Sequence, residues 1–289
     1  MYLPIVALLC FSLITFSAQS IPVENDLKIY VGQSWNEVNF IEHFTVLGPV
    51  NRQGKTTLSE PFNPLTYFDV KFRTRLNDLY FFKFSLNELY GFRGLFQLSQ
   101  SLQENPFDTI SNADGLLTTI IFNADAVVGL DIPIRDYFRM SLGIGFFNVM
   151  AKRLSVFEQQ AITIQVNDNA IAPLAMIDAR LQPSRNFELL GEFSVNVSSY
   201  HQRVLRCPDT IVILYDYPQM VRSKLAVEAR YDFDCGAMLG ATCTTTLWMS
   251  TKRGCVTIDD SQRNLFADNY VSYFRSQYFT LAFYTGYSF

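Results

Sequence analysis

Histidine is scarce in this sequence, and the residue spacings that mark common metal and nucleotide sites are missing. The two histidines are His43 and His201. The cysteines after residue 200 lie 28, 8 and 12 residues apart and form no C-x-x-C pair. The glycines at 143 and 145 lie within a predicted strand, and no helix follows them. The absence of these spacings excludes the usual zinc-binding and dinucleotide-binding motifs, so we predict no metal and no cofactor.

Long apolar runs and clusters of positive charge are also missing after residue 20. No stretch of about 18 apolar residues is available for a transmembrane helix. The absence of a polybasic tract and a net charge of -4 argue against a nucleic-acid partner. No Pro- or Gly-rich linker divides the chain, which favours one domain. Yet 49% of the residues are hydrophobic and 26 are phenylalanine, so a large apolar surface must be covered in another way.

The N-terminal segment has the pattern of an export signal. Residues 1–20, MYLPIVALLCFSLITFSAQS, form an uncharged apolar run that closes on a small-x-small sequence, Ala18-Gln19-Ser20. This pattern predicts a signal peptide over 1–20 and a mature domain over 21–289. No lysine or arginine lies near Met1, and a short N-terminal membrane helix is the alternative.

Export would place the remaining cysteines in a compartment where disulfides persist. One or two bridges can form among the cysteines of the mature chain. The pairing that we would test first joins Cys207 to Cys255.

The last residues of the chain alternate between apolar and small or hydroxylated side chains. In QYFTLAFYTGYSF, residues 277–289, one face carries Phe279, Leu281, Phe283, Tyr287 and Phe289. A period of two predicts a β-strand. The same alternation marks ten segments, with boundaries good to about two to four residues: 25–33, 65–76, 79–90, 117–131, 136–149, 171–182, 187–199, 222–232, 236–250 and 277–289.

Short and long connections alternate between these segments. The short ones carry turn residues and fall near positions 77, 133, 184 and 234. The five long ones cover 34–64, 91–116, 150–170, 200–221 and 251–276. Antiparallel strands with short turns at one end and long loops at the other are typical of a transmembrane β-barrel. We therefore predict an all-β, closed antiparallel barrel of about ten strands, within a range of about eight to twelve.

One face of the predicted strands is apolar and the other carries the charges. Phe68, Val70 and Phe72, for example, alternate with Asp69 and Lys71. Strands of about 11 to 14 residues span an apolar belt of about 25 Å, and aromatic residues gather near the strand ends. These features place the apolar face against lipid. A soluble sandwich, with that face inward, is the alternative.

The terminal strand resembles the C-terminal assembly signal of bacterial outer-membrane barrel proteins, with alternate hydrophobic residues, Tyr287 and a final Phe289. The remaining chain is similar to small OmpA-type, opacity-type and omptin-sized barrels in architecture only. The resemblance implies a location in the bacterial outer membrane. It also implies outer-membrane lipids and the barrel assembly machinery as partners.

The inferred lumen carries charges of both signs in nearly equal number. In a cylinder this narrow they should pair into a network, because an unpaired charge away from water is costly. This predicts a largely closed interior. The charges assigned to the lumen are Asp26, Lys28, Asp69, Lys71, Arg73, Arg75, Lys83, Asp125, Asp131, Arg139, Asp178, Arg180, Glu188, Glu192, Arg222, Lys224, Glu228, Arg230 and Asp232.

We therefore expect a structural or surface-interaction protein whose long loops meet a host or extracellular ligand. The first alternative is a narrow channel, biased toward anions by the cations at 71, 73, 75 and 83. The second is an enzyme at the outer rim, but the Asp pairs and Asp-His pair of the ten-stranded outer-membrane proteases are not reproduced at Glu42-His43 or Tyr200-His201. A lipid-modifying site could use only His201 with Ser198 or Ser199. We predict that the protein is not an enzyme.

Overall fold

The computed structural model describes residues 25–76, 79–102, 109–157, 162–207, 211–251, 253–258 and 266–289. These residues form an all-β structure of eleven strands. The strands are β1 (Asn25–Val46), β2 (Arg52–Arg75), β3 (Tyr80–Leu102), β4 (Thr109–Arg135), β5 (Phe138–Phe157), β6 (Ile162–Ser184), β7 (Phe187–Cys207), β8 (Ile211–Asp232), β9 (Ala237–Ser250), β10 (Gly254–Ile258) and β11 (Phe266–Ser288).

No helix in the described part of the chain is long and apolar enough to cross a membrane.

The sheet closes on itself. Consecutive strands from β1 to β8 pair in antiparallel fashion, and β11 pairs with β1 along almost its whole length. The closure reaches the last residue, because the backbone N-H groups of Asn25 and Phe289 each donate to the other residue's carbonyl, at 3.0 and 2.9 Å. The predicted closed antiparallel barrel is confirmed.

Strands β9 and β10 share one position in the wall. Beside β8, Ser250 of β9 pairs with Met220, and Cys255 of β10 pairs with Asp216 a little farther up the same strand. Between Ser250 and Cys255 the register with β8 shifts by one residue, as it does at a β-bulge. Eleven strands therefore build a wall of ten positions, in agreement with the predicted number.

The pairing register fixes the shape of the barrel. We followed directly paired residues from strand to strand around the barrel, starting at Asn25 of β1. This sequence of pairs returns to β1 at Glu37, twelve residues after Asn25. A shift of this size over ten positions tilts the strands by about 40° and gives a radius of about 10 Å. The path runs through Asn25, Thr74, Phe82, Val128, Ile144, Ala175, Val195, Ser223, Leu247, Gln277 and Glu37.

Side chains alternate between the outside of the barrel and the lumen. Phe283 and Ile144 are outward and 76% and 70% exposed, whereas the inward Asp69 and Asp178 are each 1% exposed. Apolar residues are thus exposed and charged residues buried, the reverse of a soluble protein. The alternation predicted from the sequence is present, with the apolar face outward.

The strands extend well past the apolar belt. Most have 20 to 27 residues. The segment 34–64, which was predicted as a connection, consists mainly of the second half of β1 and the first half of β2, joined at 47–51. The outward residues become polar there, as at Glu37, Lys152 and Arg275. The apolar signal therefore ends before the strands do, which is why the sequence did not reveal these extensions.

One short turn lies slightly beyond its predicted position. Strand β4 continues through Pro133 to Arg135, so that turn is Asp136–Tyr137, whereas the next turn, Arg185–Asn186, lies within the connection predicted near position 184. The predicted turn at 77–78 lies outside the described residues. In the turn after β8, Gly236 has a φ of 85°, a conformation that favours glycine. The described short turns lie at the same end of the barrel as Asn25 and Phe289. We call this end the terminal end and the opposite end the hairpin end.

Replacing Phe283 with arginine should destabilise the barrel in lipid vesicles by about 2 to 4 kcal/mol, because a charge near the middle of the lipid-facing belt loses its hydration. Phe283 lies on β11 between Val31 and Ala241. Urea unfolding in vesicles measures the change. Phe283→Leu is the matched control and should cost less than about 1.5 kcal/mol; equal costs for the two variants would contradict an outward, lipid-covered Phe283.

Candidate functional site in the barrel lumen

Ion pairs fill the lumen near the terminal end. Arg73 contacts two carboxylates, with Nη2 2.5 Å from Asp131 Oδ1 and Nη1 2.9 Å from Asp178 Oδ2. Arg230 Nη1 lies 2.9 Å from Asp26 Oδ2. We call this group the terminal-end cluster. Its other members pair at 2.9 to 3.9 Å and are Arg75, Arg180, Glu188 and Asp232.

A second group, the central cluster, lies midway along the lumen. Lys28 forms an ion pair with Glu228, and Glu192 pairs with Lys83 and with Lys224, the latter at 3.2 Å. All five side chains are nearly inaccessible to solvent. The remaining members are Lys71 and Asp69, whose charged atoms are 3.7 Å apart.

Several of these pairs span the lumen, and at several positions neighbouring strands carry charges of the same sign. Lys28 lies directly beside Lys71, and Arg73 beside Lys83. On the opposite wall Asp178 lies beside Glu192. Like charges side by side repel, so these groups favour partners elsewhere in the lumen. The pairs of Lys28 with Glu228, Arg73 with Asp178 and Lys83 with Glu192 join strands that are not neighbours in the wall.

Tyrosine hydroxyls complete the network. Tyr30 and Tyr284 each donate a 2.8 Å hydrogen bond to Glu228, and Tyr67 donates one of 2.6 Å to Asp69. The sequence prediction of the lumen network was confined to charged residues and therefore did not include these tyrosines. Tyr30 and Tyr67 lie in the same alternating series as Lys28 and Asp69, and Tyr284 lies in the inward series of β11.

Other inward polar residues, which the sequence prediction did not include, lie in the lumen at the hairpin end. Glu42 and Glu60 are 5% and 2% exposed, and Asn36 donates to Glu60 at 3.4 Å. Arg153 donates to the hydroxyl of Tyr278 at 3.2 Å. The even-numbered residues of β1 keep pointing inward from 34 to 42. Extending the period of two past residue 33 would have found Glu42.

Three cavities are separated by the charged clusters. The largest, about 420 Å³, opens at the terminal end and is lined by Arg139 and Arg180 among others. A cavity of about 30 Å³ lies beside the central cluster. A third, about 50 Å³, lies toward the hairpin end beside Arg222 and Lys224, and we call it the hairpin-side cavity. Ion pairs and hydroxyl groups thus occupy the space between the cavities.

Among the described side chains, the contact of His43 is with an aromatic ring and not with a catalytic partner. His43 points away from the lumen series and stacks on Tyr270, with ring centroids 5.1 Å apart. Partial burial and the positive charges of Lys55 and Arg253 lower the pKa of His43. The backbone of His201 pairs with Asp216, and the side chains of 198–201 lie outside the described residues.

The predicted disulfide is not formed. Cys255 has a free thiol. Its backbone pairs with Asp216 of β8, and β8 separates it from β7, the strand that ends at Cys207. Two strand spacings amount to about 9 to 10 Å, which exceeds the Cα distance that a disulfide can bridge. Sequence spacing alone could not reveal the intervening strand.

No protein-family model matches the sequence, and no curated protein sequence matches it. The structure is similar to that of the outer-membrane protease OmpT from Escherichia coli, with a TM-score of 0.71 over 94% of this chain and 100% of that chain. The two sequences are 12% identical. At this identity the likeness shows the fold, and the fold is that of an outer-membrane β-barrel.

Two further outer-membrane barrels are similar at low scores. Ail of Yersinia pestis has a TM-score of 0.31 and 10% identity over 92% of this chain and 99% of that one. The translocator domain of NalP from Neisseria meningitidis has a TM-score of 0.35 and 8% identity over 98% and 94%. Scores this low carry no argument about this chain.

Replacing Glu228 with alanine should destabilise the folded barrel by about 3 to 5 kcal/mol, because it leaves Lys28 buried without its partner. Chemical unfolding in detergent micelles or vesicles measures the loss. The double variant Lys28→Met with Glu228→Gln removes both charges and should recover most of the stability. A double variant less stable than Glu228→Ala would contradict a mutually compensated pair.

Proposed function

We propose that this protein is an integral outer-membrane barrel of a Gram-negative-type bacterium with a closed lumen. It acts as a structural or surface-interaction protein at its hairpin end. The observation that carries the proposal is the pairing of lumen charges across the barrel, from Lys28 to Glu228 and from Arg73 to Asp178. Such pairs occupy the path that a solute would take.

The pairing argues against the alternative of an anion-selective channel. The cations at 71, 73, 75 and 83 were the basis of that hypothesis, and each has a carboxylate partner in the lumen. A neutralised cation attracts a passing anion weakly. An ion crossing the barrel would also have to break several buried pairs, which is costly in a site shielded from water.

The hairpin end supports a role in contact with the outside. Strands of 20 to 27 residues at this tilt span about 50 to 65 Å along the barrel axis, about twice the apolar belt of about 25 Å. The extension presents polar outward residues such as Glu37, Lys152 and Arg275. A rigid wall raised above the lipid surface can present hairpin loops to a host or extracellular ligand.

Enzymatic activity is not part of the proposal. OmpT is a protease by its description, but the likeness to it concerns the fold. His43 points away from the lumen series, and the groups that shift its pKa are cations and not the carboxylates that would orient a catalytic base.

The terminal strand fits a role in assembly. Its residues Phe283, Tyr287 and Phe289 face outward and are 76%, 50% and 48% exposed. Phe279 and Leu281 continue this row. An exposed apolar row on the strand that closes the barrel is what assembly machinery can recognise before β1 and β11 pair.

The folded barrel should give no steady conductance in planar bilayers at neutral pH, because its lumen is occupied by paired charges. Single-channel recording of the refolded protein tests this expectation. A variant in which Glu192, Lys83 and Lys224 are replaced by alanine opens the central cluster and is the positive comparison. Steady anion-selective current through the unaltered protein would refute the closed lumen.

Deleting Phe289 should reduce the amount of barrel assembled in the outer membrane several-fold, while refolding of the purified chain into micelles changes little. Heat-modifiable gel mobility of membrane fractions measures assembly. Replacing Phe289 with tyrosine keeps a terminal aromatic and should preserve assembly. Normal assembly after the deletion would contradict a role as a signal.

A further inference from the structure

A glutamate lies on the lipid-facing side of β3, inside the apolar belt. Glu88 is exposed and pairs directly with Phe68 of β2 and Phe122 of β4, which face outward. Toward the hairpin end β3 continues with Tyr90 and Phe92, so Glu88 lies beneath the aromatic edge of the belt. Its carboxylate has no hydrogen bond or ion pair within the described part of the chain. Because hydrocarbon offers a carboxylate neither water nor a donor, this position calls for a polar partner in the membrane.

Asn148 of β5 is a second polar group without a partner on this side of the barrel. It lies in the outward series, paired with Ala124 and with Ile171, which is 68% exposed. Its Oδ1 is buried without a hydrogen-bond partner, and no described group accepts a hydrogen bond from its Nδ2. The outward amide of Gln33 differs, because it donates a 2.9 Å hydrogen bond to the carbonyl of Leu65. The barrel can therefore satisfy an amide in the belt, and it does not do so for Asn148.

Glu88 and Asn148 lie at nearly the same height on the wall. Direct pairing leads from Glu88 through Phe122 to Met150, and at a tilt of about 40° this path rises about 6 Å toward the hairpin end. Asn148 precedes Met150 by two residues, which lowers it by about 5 Å. The two polar groups are thus level to within about 1 Å and lie about 12 Å apart around the wall. Phe122 and Ala124 occupy the wall between them.

Two unpartnered groups at one height make this wall self-complementary. Two copies in one membrane have the same orientation, so a two-fold axis that relates them runs parallel to the barrel axes. An axis that passes between Phe122 and Ala124 places Glu88 of each copy opposite Asn148 of the other. The amide Nδ2 can then donate to the carboxylate in both directions. Each copy supplies the partner that the other lacks.

We propose that the outer wall formed by β3, β4 and β5 is the interface through which two copies of this chain dimerise in the membrane. The reciprocal contacts of Glu88 with Asn148 hold the dimer and set its register. This inference goes beyond the proposed surface role and does not depend on it, because the lumen of each barrel is unchanged by contact at the outer wall.

Sedimentation equilibrium of the refolded full-length barrel in density-matched detergent micelles measures the dissociation constant of the dimer. Glu88→Leu and Asn148→Leu should each raise it at least tenfold. Gln33→Leu is the matched control and should change it less than twofold, because that amide is satisfied within its own chain. Heat-modifiable gel mobility should show a folded barrel for all three variants, since leucine suits a lipid-facing position.

Exchanging the two groups tests the contact itself. Asn148→Glu alone sets a carboxylate opposite Glu88 of the other copy and should abolish the dimer, because like charges repel. Adding Glu88→Asn restores the complementary arrangement and should return the dissociation constant to within about threefold of that of the unaltered barrel.

Cross-linking in lipid vesicles gives an independent readout. In a variant whose native cysteines are replaced by serine, Ala124→Cys should form a disulfide between copies on mild oxidation. Val227→Cys, on the lipid-facing side of β8, should not. A monomer in both micelles and vesicles, equal effects of Glu88→Leu and Gln33→Leu, or failure of the exchange to restore the dimer would each overturn the proposal.

Discussion

The pairing of β1 with β11 is the constraint on which the rest of the barrel depends. In lipid no water is available to satisfy the backbone groups of an open edge, so the sheet must close. Closure from Asp26 to Val46 fixes a shift of twelve residues around the wall, which sets the tilt and the radius. It also fixes which residues face inward, because a slip of one residue would exchange the two faces.

The narrow lumen then determines what the inward residues can do. Like charges lie side by side at several positions on neighbouring strands, so several groups pair with a carboxylate or cation on a distant strand. Pairs such as Lys83 with Glu192 join strands that are far apart in the ring. They hold the cross-section closed and leave three separate cavities. The interior of the barrel is therefore a stabilising element along most of its length.

The sequence predicted the barrel well because lipid imposes a simple period of two on the belt. Phe68 and Asp69 could be assigned to opposite faces without a structure. The upper half was less predictable, because outward residues such as Glu37 are polar there and the contrast between the faces is lost. Ion-pair partners across the lumen could not be assigned from the sequence either. The pairing of Lys28 with Glu228, for example, depends on the pairing register of every strand that lies between β1 and β8 in the wall. The same limit explains the wrong pairing of Cys207 with Cys255.

The most direct test of this account is a nitroxide scan of residues 223–231 on β8 in lipid vesicles, in a variant whose native cysteines are replaced by serine. Accessibility to oxygen should alternate with a period of two and peak at Leu225, Val227 and Ala229, which face the lipid. A water-soluble nickel chelate should reach these positions poorly. Loss of the alternation, or ready access of the chelate to Val227, would contradict an apolar face covered by lipid.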